Sequence, residues 1–283
     1  VAGLDRDPDA VEAATTRLAR FGDRASVHHT RFDRIDEVVR DLGVNVSGVL
    51  FDLGVSSPQL DRGDRGFSFR QDAPLDMRMD PTGGRTAADI VNGYTQEELV
   101  TMLHTYGDER HATRIARAIV ANRPIETTGR LVEVIRDAIP APARRTGGHP
   151  AVRSFQAIRI EVNEELSILQ TALVAALALL VPGGRCAVLA YHSGEDRIVK
   201  RTLRDAATGG CTCPPGLPCQ CGAVPTVRLL KRGAWKPSKD EVARNRRAES
   251  ARLRAVETRR WLVRASTSGR VSRYVIAFCQ SST

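Results

Sequence analysis

The first fifty residues alternate short apolar runs with amphipathic stretches, and this alternation limits the fold more than any other feature. Val1-Ala2-Gly3-Leu4-Asp5 reads as a short buried strand closing on an acid. From Pro8 to Phe21 the residues Ala10, Val11, Ala14, Leu18 and Phe21 recur at helical spacing. Ser26 to His29 reads as a second strand, Ile35 to Leu42 as a helix and Gly48 to Phe51 as a third strand. Strands separated by helix-length segments predict a parallel sheet with crossover helices. Ligands of such sheets bind beyond the carboxyl ends of the strands. Asp5, Phe32 and Asp52 stand at those ends and are therefore candidate site residues. A carboxylate there accepts hydrogen bonds from ribose hydroxyls, an aromatic ring packs on an adenine face, and a second acid holds a polar group at a reacting centre. The competing readings are a helix cap for Asp5, core packing for Phe32 and a turn cap for Asp52.

Asp52-Leu53-Gly54 opens a loop rich in Gly, Ser, Pro and Asp that runs to Gly84. Long irregular stretches in compact domains are more often functional than filler. From Thr86 to about Pro140 the pattern is helical throughout. Thr95 and Glu98 have capping-box spacing, and Ala112 to Val120 and Leu131 to Ile139 predict helices. The segment from Ala141 to Pro150 reads as a return linker. Phe155 to Val181 reads as one long helix ended by Pro182-Gly183-Gly184, with Cys186 to Tyr191 as the next strand. The expected organisation is core over 1–85, an inserted helical subdomain over 86–150, core again over 151–227, and a basic C-terminal segment over 228–283.

Lys and Arg outnumber Asp and Glu by 42 to 33, a net charge of +9 that favours a polyanionic partner. The excess is concentrated between Arg228 and Arg260, with twelve basic and four acidic residues around Trp235. Lys231, Arg232 and Lys236 are candidate RNA-phosphate contacts, against the alternative of a solvated helix face. The longest apolar run, Ala172 to Val181, has ten residues, where a membrane span needs about 20. With no basic-then-apolar leader either, neither a membrane nor a secreted protein is expected. The cysteines are accordingly expected to be reduced. Cys211-x-Cys213 and Cys219-x-Cys221 are spaced more tightly than the usual Cys-x2–4-Cys zinc pattern. A structural metal and a reduced thiol-rich loop both remain open.

Further blocks are long and ordered. They are Asp52-Leu53-Gly54-Val55-Ser56-Ser57-Pro58-Gln59-Leu60-Asp61, Arg65-Gly66-Phe67-Ser68-Phe69, Pro74-Leu75-Asp76-Met77-Arg78-Met79-Asp80-Pro81, Tyr106-Gly107-Asp108-Glu109-Arg110, the stretches Arg114 to Ile119 and His149 to Leu166, and His192-Ser193-Gly194-Glu195-Asp196-Arg197. In these blocks the chain resembles the bacterial S-adenosylmethionine-dependent methyltransferases that modify the N4 amine of a cytosine in the decoding region of 16S ribosomal RNA. The resemblance implies an α/β fold: a class I (Rossmann-like) methyltransferase sheet with an inserted all-helical subdomain that recognises substrate. It places Asp5, Phe32, Asp52 and Gln59 against the methyl donor, S-adenosyl-L-methionine. It also makes nucleic-acid contact the expected role of Arg153, Gln156 and Arg159, which share a helical face.

A cytosine N4 amine is a poor nucleophile because its lone pair is delocalised into the ring, so an acceptor close to N4–H promotes attack. Asp52, or oxygens around Ser56 and Ser57, are the candidate acceptors. His192 is a further catalytic candidate that orients the base or meets an rRNA phosphate, against the alternative that this region caps the following helix. Three departures from the family pattern stand out. Where other amino-methyltransferases carry Asp-Pro-Pro-Tyr, this chain has Asp52-Leu53-Gly54-Val55, so an aromatic clamp comes from elsewhere or is missing. The family's Gly-rich donor loop has no counterpart, and the chain is expected to start at the family's second strand. The block from Asn245 to Arg254 lacks the family's Pro after Asn and has Glu249 at a basic position. Beyond Arg260 no family counterpart is placed, and Tyr274 to Cys279 is expected to be an added strand. Two rivals remain: an oxidoreductase fragment using Asp5 for an NAD ribose, and a non-catalytic RNA-binding or ribosome assembly factor. The expected setting is cytoplasmic, with 16S rRNA or the small subunit as partner.

Overall fold

The computed structural model describes residues 1–144, 149–214, 218–259 and 274–278. In chain order the elements are β1 (Ala2–Asp5), α1 (Pro8–Leu18), β2 (Ser26–His29), α2 (Ile35–Leu42), β3 (Val46–Asp52), α3 (Ser57–Asp61), α4 (Ala87–Gly93), α5 (Gln96–Gly107), α6 (Ala112–Ala121), α7 (Thr128–Ala138), α8 (Ala141–Arg144), α9 (Val152–Asn163), α10 (Glu165–Leu179), β4 (Leu180–Ala190), α11 (Ser193–Thr208), β5 (Val227–Leu229), α12 (Lys239–Arg244), β6 (Arg252–Thr258) and β7 (Tyr274–Phe278). They form two compact units, Val1–Gly54 with Leu166–Gln280, and Val55–Glu165.

The first unit is built on one sheet in the order β2-β1-β7-β3-β4-β6-β5. β2, β1, β7, β3 and β4 run parallel, β6 pairs antiparallel with β4, and β5 pairs antiparallel with β6. Because side chains alternate across a strand, β4 buries Cys186, Val188 and Ala190 while the residues between them are more exposed. Phe51, Val49 and Leu4 pack with Ile35 and Val39 of α2, with Leu169, Leu173 and Ala176 of α10, and with Val199 and Leu203 of α11. The crossover helices start where local chemistry satisfies their first amides. Asp7 caps α1, its carboxylate accepting from the Asp9 amide at 3.1 Å, with Pro8 in the first turn. Gly43 ends α2 in the left-handed region.

The second unit gathers α4, α5, α6, α7 and α9 around Ile90, Leu99, Leu103, Ile115, Ile119, Ile135 and Ile158. Thr95 and Glu98 form the expected capping box of α5. Phe67, Leu75, Met77 and Met79 join the same core, and the Leu75 amide donates to the Glu126 carbonyl at 2.9 Å. That packing moves the loop after Gly54 into the helical unit. The insertion thus spans 55–165, where the sequence reading had 86–150.

Two more expectations are revised. The helix expected from Phe155 to Val181 is two helices, because Glu164 adopts the left-handed region at φ 53° and ends α9. Beside it the buried Asn163 donates from Nδ2 to the Met77 carbonyl (2.8 Å) and the Arg159 carbonyl (2.9 Å) and accepts from the Met79 amide (2.8 Å). The strand from Tyr274 to Phe278 is no peripheral addition: it pairs with β1 on one side and β3 on the other, in the middle of the sheet. Within the basic segment, Arg252 to Glu257 of β6 pair antiparallel with β4.

Asn163 serves buried main-chain groups 84 and 86 residues away. Stranding such groups costs about 1–3 kcal/mol each. Asn163→Ala is expected to lose about 2–4 kcal/mol in chemical denaturation; an unchanged midpoint would show that the clasp holds nothing.

Candidate active site

At the carboxyl edge of the first unit's sheet, β1 ends on Asp5 and β3 on Asp52, flanking β7. Asp5 does not cap α1, since Asp7 has that role. Its Oδ1 accepts from the Asp7 amide at 2.8 Å. Burial pushes Asp5 up to about 7, with the nearby Asp7 charge adding to it and the backbone amides opposing it. Phe32 opens a short 3-10 turn after β2 and meets Phe51 edge-on, with ring centroids 6.0 Å apart and planes at 89°. Part of the ring is therefore core, as the competing reading held, yet the residue stays half-buried at the same edge.

Asp52 accepts a hydrogen bond on Oδ1 from the Tyr191 hydroxyl at 3.2 Å. Burial pushes its carboxyl up to about 6 despite that bond, and Glu195 nearby pushes the same way. Tyr191 follows β4, which pairs in parallel with β3 and sets Leu189 opposite Asp52. Burial and the neighbouring carboxylates raise the phenol, so it stays a donor. Tyr191 was not singled out from the sequence, because the partners lie 139 residues apart. The departure at Asp52-Leu53-Gly54-Val55 was the available signal: the aromatic group comes from the adjacent strand. Gly54 follows at φ 91°, a backbone conformation that side chains rarely adopt, and a Cβ there would only touch Tyr191 Cδ2, at 3.5 Å.

Glu195, almost fully buried, ties down the same turn by accepting from the amides of Tyr191 (2.8 Å) and His192 (3.2 Å). His192 is the N-cap of α11, with Nδ1 accepting from the Gly194 and Glu195 amides at 3.2 and 3.4 Å. That use of Nδ1 puts the neutral ring's proton on Nε2, which stands 3.1 Å from Glu195 Oε1 but off hydrogen-bond alignment. The capping alternative is thus the one realised here, by His192 with Glu195 instead of Ser193 with Asp196. Asp196 instead receives a two-pronged bond from Arg254 of β6 at 2.7 and 3.0 Å.

In the second unit Ser57 opens α3 and Ser56 caps it. The buried Gln59 accepts from the Ser56 amide through Oε1 at 3.0 Å, which gives it a structural role in the turn. Arg153 donates to the Asp108 carbonyl at 3.1 Å and Gln156 to the Tyr106 carbonyl at 3.4 Å. Arg159 is held in a buried fork with Glu165 at 2.8 and 2.9 Å, so this face is largely used internally. A cavity of about 470 Å³ in this unit is lined by Arg85, Tyr94, Met102, Tyr106 and Glu161, among others. Tyr94 donates to Glu161, and the Arg85 guanidinium lies 5.2 Å from the Tyr94 ring centroid. Back in the first unit, Lys231, Arg232 and Lys236 are exposed between β5 and α12, with Lys231 Nζ 5.4 Å from the Trp235 ring centroid.

Similarity to known proteins fits this arrangement. A family model described as the MraW methylase family matches residues 1–259. A protein named ribosomal RNA small subunit methyltransferase H from Mycobacterium sp. (strain KMS) is 56% identical over 257 residues, covering 90% of this chain and 69% of that protein. The protein of the same name from Thermobifida fusca is 55% identical over 263 residues, covering 91% and 79%. That from Streptomyces avermitilis is 53% identical over 259 residues, covering 90% and 81%.

A carboxyl whose folded pKa is raised binds its proton more tightly folded than unfolded, so stability falls as pH rises between the two values. For Asp5 and Asp52 that window runs from about 4 to about 6–7. Asp5→Asn and Asp52→Asn are expected to raise the melting temperature by a few degrees at pH 8 and to bring no gain at pH 4. Equal effects at both pH values would refute the charge argument.

Proposed function

The chain belongs to the MraW methylase family, and on that premise we propose that its sheet edge transfers a methyl group to the exocyclic N4 of a cytosine in small-subunit ribosomal RNA. The enzyme is a methyltransferase with a class I sheet and uses S-adenosyl-L-methionine as methyl donor. When bound, the donor supplies an electrophilic methyl carbon on a sulfonium. The residues at the edge suit such a group. Asp5 ends β1 with a carboxylate of the kind that accepts from a ribose diol, Phe32 offers the rest of its ring, and the two acids balance a cation. Gln59 as a donor contact remains part of the proposal.

The observation that carries the reading is the Asp52–Tyr191 pair. Above pH 6 Asp52 is a carboxylate held against its own burial, which makes it a strong acceptor for N4–H. Accepting that hydrogen bond localises the nitrogen lone pair and takes up positive charge as the N–C bond forms. Tyr191 fixes which oxygen faces the base. Ser57 is a supplementary acceptor, and His192 and Glu195 act as positioning residues that hold the Tyr191 turn. The cavity lined by Arg85, Tyr94, Tyr106 and Glu161 offers rings, a guanidinium and a carboxylate, the groups that bind an unstacked base of single-stranded RNA. Lys231, Arg232 and Lys236 supply phosphate contacts, with Arg153 and Gln156 as further RNA contacts. Arg159 contributes through its ion pair with Glu165. The proposed setting is the cytoplasm; among the described residues no single helix is long and apolar enough to cross a membrane.

The non-catalytic and nicotinamide readings gain nothing from these findings. Small subunits lacking the modification, incubated with labelled donor, test the proposal. Asp52→Ala is expected to lose about 10²–10⁴-fold in single-turnover rate, and full turnover at saturating donor would end the assignment. The rate should rise with pH through an apparent pKa of about 6. Tyr191→Phe removes a bond that lowers this value, so its profile should move to higher pH. For RNA binding, replacing Lys231, Arg232 and Lys236 together by Ala should flatten the salt dependence of log K by about 2–3. An unchanged slope would place the phosphate contacts elsewhere.

A further inference from the structure

We propose that Cys211, Cys213, Cys219 and Cys221 form a tetrathiolate site for one structural zinc ion, independent of methyl transfer. Their four sulfurs all lie within 4.8 Å of one another. The separations are 3.4 Å for Cys211–Cys219, 3.3 Å for Cys219–Cys221 and 3.6 Å for Cys211–Cys221. Four thiolates about 2.3 Å from a tetrahedral ion stand about 3.8 Å apart, whereas a disulfide needs about 2.05 Å. The observed distances match a set of ligands around one ion and fit no bonded pair. The tight Cys-x-Cys spacing is therefore no obstacle, because the two pairs face each other across the loop.

Nothing else in the loop explains the convergence. Among the described residues between Cys211 and Pro225 none is buried, so no apolar core draws the thiols together. Backbone amides of Ala223 and Thr212 are directed at the Cys221 sulfur and that of Cys213 at the Cys211 sulfur, the outer-shell bonding that stabilises thiolate charge at metal centres. Four thiolates on a divalent ion leave a double negative charge. A cavity of about 390 Å³ beside Cys211 and Thr212 is lined on α11 by Arg197, Lys200, Arg201 and Arg204 against the single acid Asp205, a net positive wall on the side of the thiols. The loop is also anchored at both ends. Gly209 ends α11 in the left-handed region, where a Cβ would meet the Val224 backbone at 2.5 Å, and the Thr226 amide donates to the Ala206 carbonyl at 2.9 Å. With all four positions supplied by protein, the site is closed and structural.

The test uses the whole chain, expressed with zinc in the medium and purified without chelator or a metal-affinity step. Elemental analysis is expected to find one zinc per chain, with four thiols shielded from a thiol reagent until chelator is added. Exchange with cobalt(II) should give the intense visible bands of tetrahedral thiolate coordination. Cys213→Ser with Cys221→Ser should remove both signals; because that variant can misfold, the cobalt spectrum of the unsubstituted chain decides. A chain that binds neither zinc nor cobalt while its thiols remain reduced would overturn the proposal. So would an intact mass showing two disulfides.

Discussion

The charge at the tip of β3 governs the rest of the site. A carboxylate there loses much of its hydration, and its raised pKa records the cost. The fold answers with one phenolic hydroxyl and worsens the field with Glu195. Asp5, two strands away across β7, is likewise raised by burial, although the Asp7 and Arg6 amides donate to it. Two acids desolvated at one sheet edge suit a ligand that brings hydroxyls, an amine and a positive charge. A purely structural pair would be better served by an arginine, as Asp196 is by Arg254 and Glu165 by Arg159. The chain makes that repair elsewhere and withholds it here.

What was legible in the sequence follows the range of the interactions involved. β1, β2, α2 and the capping boxes depend on residues within a few positions of each other, and period and cap chemistry place them. The acids at the strand ends were visible for the same reason. The Tyr191–Asp52 pair, the Asn163 clasp on Met77 and Met79, and the central position of β7 are contacts across much of the chain, and no local pattern encodes them. The break at Glu164 belongs with these. Its flanking sequence is a good helix, and what stops it is a left-handed residue beside a side chain occupied with another segment. The loop from Val55 to Met79 was grouped with the preceding core by sequence order; Phe67, Leu75, Met77 and Met79 decide otherwise by packing among helices.

Charge counting also overstated what is free to meet RNA. Within the basic segment Arg228 pairs with Glu257 and Arg254 with Asp196. On α9, Arg159 is spent on Glu165. These cations close the fold, and their contribution to net charge says little about a phosphate surface. The excess carried by Lys231, Arg232 and Lys236 lies exposed in a turn between two elements, next to the Trp235 indole ring.

The missing aromatic of the Asp52-Leu53-Gly54-Val55 motif is the point at which fold and chemistry explain each other. An aromatic residue following the acid on its own strand would have its position fixed by that turn alone. Tyr191 comes from the next strand, so its hydroxyl reaches Asp52 only if β3 and β4 keep register. Glu195 then holds the Tyr191 and His192 amides, and His192 caps α11 in return. The acid's orientation is thus set by sheet register and by the first turn of a sixteen-residue helix, both far stiffer than a loop. In the proposed reaction, rigid placement of an acceptor is what attack by a weak, delocalised nitrogen demands, since little is gained from an acceptor that must find its geometry during the reaction.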